Sequence, residues 1–169
     1  RNAARVVTKS YKDFVVIGYI VLRDLFGFGQ KRIIRLQEEM KARLETAADG
    51  GVNGAHVGVL LKDKYGIDVD ECVKRVPQRQ LMILYAQKGR CIEREAYRIT
   101  CASMFNYLAF TLITLKQCFK LSVKQLQQFL DKFIDYIDTL ANYKQFQLTV
   151  PMIAETLVNE IKFVCDLEV

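Results

Sequence analysis

Tryptophan is absent from this 169-residue chain, histidine occurs once and proline twice. A single histidine, His56, leaves a zinc site short of nitrogen ligands, and no two of the five cysteines have Cys-x-x-Cys spacing. The odd cysteine number rules out complete pairing within one chain, so Cys72, Cys91, Cys101, Cys118 and Cys165 are read as reduced, mostly buried thiols of an intracellular protein. Two prolines and nine glycines, with long stretches free of both, argue against a turn-rich sandwich and predict an all-α protein.

Signals for chemistry are equally sparse. No Ser/Asp or Cys/Asp arrangement marks His56 as a general base, and its setting, "NGAHVGVLL", predicts a helix-start or core-edge residue. Asp63, Asp68, Asp70 and Glu71 do not have the spacing of a calcium loop. These absences predict a non-enzymatic protein with no catalytic residue, no metal and no cofactor. No basic start with a cleavage pattern marks a secretory signal, and Arg1 at the first position is read as loss of the initiator and a short leader. The expected location is cytoplasmic or host-cell intracellular.

One long run lacks formal charge, "ITCASMFNYLAFTLITL" at 99–115. It approaches the length of a membrane span, but Thr100, Ser103, Asn106, Thr111 and Thr114 interrupt it. A central buried helix is expected there, not integral membrane insertion.

The chain does have apolar material, 51% of its residues, and this material follows a pattern. At an offset of 93, Arg1, Ala3, Arg5 and Ser10 meet Arg94, Ala96, Arg98 and Ser103, while Ile20, Leu22, Phe26 and Lys31 meet Ile113, Leu115, Phe119 and Lys124. Three extra residues in a later loop shift the offset to 96, so that Asn53 meets Thr149, both good N-caps. Ser122 with Gln125 forms a capping-box pattern. The expected architecture is a compact helical bundle of two tandem, pseudo-twofold-related units, approximately 1–65 and 94–165, joined by a structured helical connector at 66–93, all in one cooperative domain. Helices are predicted over 3–26, 30–48 and 54–65, then 91–119, 123–141 and 150–164. In the connector a short helix starts at Asp68 or Asp70, Pro77 interrupts it, and another helix covers 78–88.

On the second helix of each unit, Ile33, Leu36, Met40, Leu44 and Ala47 correspond to Leu126, Phe129, Phe133, Ile137 and Leu140. Steps of three and four make this one buried face, part of which could instead serve a subunit interface in a homo-oligomer.

Charge does not follow the same pattern. Residues 1–93 hold seventeen Lys/Arg against eleven Asp/Glu, whereas 94–169 hold eight of each, so the formal +6 lies entirely in the first unit and connector. Arg1, Arg5, Lys9 and Lys12 recur at helical spacing, and Lys74, Arg75, Arg79, Lys88 and Arg90 form a second basic run. Such faces suit an acidic protein or the phosphates of DNA or RNA. A helix-turn-helix reader is poorly supported, because "DGGVN" joins 30–48 to 54–65 and the latter carries few base-reading side chains.

The sharpest local feature is "FGFGQKRIIRLQEEM" at 26–40. It places Lys31, Arg32 and Arg35 in the first turns of a helix, the end whose partial charge disfavours bases. Gly27 and Gly29 would permit close backbone approach by a phosphate or carboxylate, which makes these five residues a candidate anion site. A structural corner, with Phe26 and Phe28 packing inward and Phe26 as its anchor, is the competing explanation. The segment resembles the phenylalanine-glycine corner and basic amphipathic helix of small uncharacterised proteins of Gram-positive bacteria and their phages. That resemblance implies an intracellular or phage-encoded accessory protein and carries over no catalytic residue. The function expected from all of this is a protein-interaction or assembly factor that binds an acidic macromolecular partner, with a phosphate-contacting DNA- or RNA-binding accessory protein as the alternative.

Overall fold

The structure, a computed structural model, describes residues 2–89 and 93–168. Among them there is no strand. The helices are α1 (Asn2–Phe26), α2 (Gln30–Asp49), α3 (Gly54–Tyr65), α4 (Val69–Lys74), α5 (Gln78–Gly89), α6 (Glu93–Cys118), α7 (Val123–Ala141), α8 (Tyr143–Phe146) and α9 (Val150–Ile161). The all-α expectation holds, and the predicted helices reappear with small shifts at their ends. The start predicted at 91 lies outside the described residues.

Local chemistry sets most of the boundaries. Asn53 caps α3 by accepting the His56 N–H, while the His56 imidazole Nδ1 accepts the Asn53 N–H in return. His56 therefore sits at a helix start and is exposed. Ser122 and Gln125 form the expected reciprocal cap on α7, and Thr149 caps α9. Asp68 caps α4, and the Glu71 N–H it accepts, with help from Lys62, holds its carboxyl below the usual range. Two details differ from the sequence reading. The four-residue α8 was not anticipated, and it falls in the loop that carries the three extra residues. α9 ends at Ile161, not 164, because Lys162 turns into the left-handed region at φ +59°.

The helix ends recur at the two offsets. After α1, Gly27 takes φ +64° and the Phe28 N–H donates to Leu22 O at 3.3 Å; after α6, Lys120 takes φ +57° and the Leu121 N–H donates to Leu115 O at 3.3 Å. All three positions match at 93. After α3, Gly66 at φ +69° and Ile67 N–H to Leu61 O are matched at 96 by Lys162 and Phe163 N–H to Leu157 O. At Gly27, Gly66 and Lys162 the left-handed residue's own N–H adds a second bond, to Arg23 O, Lys62 O and Val158 O, which completes the pair typical of a helix stop. Lysine occupies the left-handed position in the later two at a cost of roughly 1 kcal/mol each relative to glycine.

Packing across the bundle is reciprocal. α1 and α6 lie together at the centre; α1 also packs on α7 and α9, while α6 packs on α2 and α3. Each long helix thus takes its main partners from the other half. Ser10 and Ser103, matched at 93, meet between the two long helices with Oγ atoms 3.3 Å apart. α5 seats against α1, α6 and α7. One contiguous apolar core runs from Val6 to Phe163.

α6 is the apolar run seen in the sequence, and it is mostly buried within the protein; by length and composition it would also suffice to cross a membrane. Two of its hydroxyls are satisfied locally, Thr100 Oγ1 donating to Ala96 O and Thr114 Oγ1 to Phe110 O, both at 2.7 Å. Such back-bonding lets threonine sit in an apolar helix interior at little cost.

Candidate functional site

At the α1–α2 corner, Gly27 supplies the left-handed turn that a side chain would strain, and Gly29 is the uncapped, extended N-cap of α2. Phe28 is the residue driven fully into the core, while Phe26 stays half-buried. The anchor is thus Phe28, matched at 93 by buried Leu121.

The two arginines explain why a basic run begins α2. Arg32 Nη2 donates to Gly27 O at 2.7 Å and Phe26 O at 3.3 Å, and its guanidinium lies 4.5 Å from the centre of the Phe28 ring. Arg35 Nη2 donates to Cys118 O at 2.9 Å, with its guanidinium 4.6 Å from the Phe119 ring centre. The two rings themselves pack 5.3 Å apart. Each arginine therefore places positive charge at the C-terminus of a helix, α1 or α6, where unpaired carbonyls and the helix dipole favour it. What is unfavourable within α2 alone is offset by the two helix ends that converge on it. Both guanidinium planes are held by carbonyl and ring, which leaves Lys31, exposed and without an ion pair among the described residues, as the corner's free cation.

The other basic candidates are dispersed and largely paired. Lys9 pairs with Asp13 at 2.5 Å, and Lys12 binds Asp166 at 2.9 Å and also the Glu168 carbonyl. Lys74 pairs with Asp70 at 2.7 Å and Arg75 with Asp131 at 3.1 Å. Arg5 and Arg79 are exposed, and Arg1 and Arg90 lie outside the described residues. Arg5 and Phe26 stand about 30 Å apart along α1, since a helix rises 1.5 Å per residue. The corner and the α1 bases therefore make no single anion-binding face.

Asp13 holds a cluster of buried polar groups that sequence reading missed. Its carboxylate is 4% exposed and accepts the Tyr85 hydroxyl at 3.0 Å, tying α5 to α1. Burial, and then the negative Asp13, raise the Tyr85 phenol well above its usual range, so it remains a donor. Only the seating of α5 brings these residues together, and no spacing in the sequence announces it.

The first half also carries open apolar surface. A groove of about 380 Å³ is bounded by Val7 and Tyr11 of α1, Leu44, Ala47 and Ala48 of α2, and Ser103, Asn106 and Phe110 of α6. A second groove, of about 540 Å³, lies between α2, α3 and α6 and is lined by Val57, Leu60, Phe110 and Ile113. Val7, Leu44, Val52, Val59 and Leu60 are between 36% and 59% exposed. The signal in the sequence was the lower part of the α2 stripe, where Leu44 and Ala47 fall. No group of three or more His, Cys, Asp or Glu among the described residues is placed to hold a metal ion. Known protein families, curated proteins and solved structures offer no match to this chain.

Proposed function

We propose that this chain is a non-enzymatic protein-interaction or assembly factor that binds an acidic macromolecular partner through apolar helix faces and the basic first half. One observation carries the reading: uncovered apolar side chains on α2 and α3 lie in the half that holds the whole positive excess. Contiguous apolar surface rimmed by polar groups marks interaction sites, and positive charge nearby steers an acidic partner toward it. The pairing of Lys9, Lys12, Lys74 and Arg75 with acids weighs against phosphate contacts as the main function. The two halves are read as related by a pseudo-twofold axis near Ser10 and Ser103, a relation supported by the matched helix ends and the reciprocal packing.

The test is affinity capture with the full chain from nuclease-treated lysate of its source, beside Leu44→Glu and Lys31→Gln variants. The expected result is an acidic protein retained by the parent chain and lost with Leu44→Glu. Capture that disappears on nuclease treatment, or that Leu44→Glu leaves unchanged, overturns the reading in favour of nucleic acid or another surface.

A further inference from the structure

The offset of 93 makes α6 the mate of α1 and α2 the mate of α7. α5 rests on α1, α6 and α7, so the mate of its seat is the surface made by α6, α1 and α2. That surface is the 380 Å³ groove, and no helix of the described chain fills it. Val7, Leu44 and Ala48 are exposed there, while their mates Thr100, Ile137 and Ala141 are buried.

The filled seat shows what the open one fits. α5 lays Leu81 and Tyr85, four residues apart, into the core, with half-buried Leu84 beside them. Its polar contacts include Gln80 Nε2 to Asp138 and Tyr85 Oη to Asp13. The mates of these two acceptors are Glu45 and Asn106, both exposed and both retaining a side-chain oxygen. In place of Ile137 and Leu140 the open groove has Leu44 and the smaller Ala47, which leaves more room on its α2 side. We infer that this groove receives one amphipathic helix of a partner protein, bearing apolar residues at i, i+3 and i+4 as α5 does, with a hydrogen-bond donor one residue before them facing Glu45. Helix-in-groove recognition uses this spacing of anchors. The inference rests on the interaction reading above and names its site and the form of its ligand.

The probe is a fluorescently labelled peptide with the sequence of residues 78–89, titrated by anisotropy into the full chain, whose mass is followed by light scattering. The expected outcome is saturable binding with half-saturation below about 1 mM, weakened at least about tenfold by Leu44→Glu and by Ala48→Trp, which fills the groove without charge. Val164→Glu, at a site 76% exposed and outside the groove, leaves binding unchanged. Circular dichroism melts verify that each variant is folded. Absence of binding at 1 mM, or binding that both groove variants leave intact, overturns the proposal; so does a doubled mass that Leu44→Glu abolishes, which would assign the groove to a second copy. If the peptide fails while lysate capture remains sensitive to Leu44→Glu, the interaction reading survives without the helix. If the peptide binds while capture yields only nucleic acid, the groove survives without that reading.

Discussion

α2 and α7 align in sequence at an offset of 93 and begin alike, for Ile33 and Leu36 are as buried as Leu126 and Phe129. Below that point they part. Phe133, Ile137 and Leu140 remain in the core, whereas Met40 is half-buried, Leu44 is 36% exposed and Ala47 is half-buried. The α2 stripe has the same helical period as that of α7, but α5 lies against α7 and not against α2. A periodic apolar stripe therefore identifies a face that can be buried; whether it is buried depends on an element elsewhere in the chain.

The largest effect should come from truncating the covered stripe. Ile137→Ala is expected to cost about 2–5 kcal/mol by opening a cavity, while Leu44→Ala at the matched, open position costs less than about 1 kcal/mol. Urea denaturation measures both, and equal losses would remove the distinction between the two faces. One coincident transition by fluorescence and circular dichroism is expected throughout, as a single cooperative domain requires.

A smaller effect tests why only one side is covered. Tyr85→Phe leaves the buried Asp13 without its hydroxyl donor and should cost about 1–3 kcal/mol. The same unfolding measurement checks this, with Asn106→Ala, at the exposed mate of Asp13, expected to fall within about 0.5 kcal/mol of the parent. A similar loss at both positions would mean that the α5 seat does not depend on the Asp13–Tyr85 contact.

The smallest effect concerns the tail. Lys12 holds the Asp166 carboxyl below its ordinary value of 3.8, and the Glu168 N–H adds to this. A carboxyl depressed in the folded state contributes stability above its unfolded value and loses it as pH falls through the lower folded value. The residues around 166–168 should therefore become more accessible to an acid protease only below about pH 3.8, and Lys12→Met should expose them at every pH. Tail cleavage that is independent of pH in the parent chain would contradict the role assigned to this pair.

Much of the fold was legible because its boundaries have local causes. Asn53, Ser122 and Thr149 announce helix starts through side chains that reach their own backbone, and Gly27 and Gly66 announce stops. Lys120 and Lys162 perform the same turn without glycine, and the end of α9 was accordingly placed three residues too late. The corner was only half legible. Three bases at a helix start signalled a compensating negative partner, but the partners of Arg32 and Arg35 are the C-terminal carbonyls of α1 and α6, one of them 83 residues away. No local reading can separate such a carbonyl from an incoming anion.

The exchange of partners between the halves also bears on the order in which the chain can fold during synthesis. Apart from α5, the helices that pack on α1 lie beyond residue 92, and α2 has no major partner before α6. At about 5–20 residues per second, α1 to α3 leave the ribosome several seconds before α9 completes their surroundings. Through that interval Ile17, Leu22, Ile33 and Leu36, all buried in the finished protein, lack most of their cover. The nascent chain is then most exposed to chaperones and to aggregation, a vulnerability that the arrival of α6 begins to close and that of α7 and α9 ends.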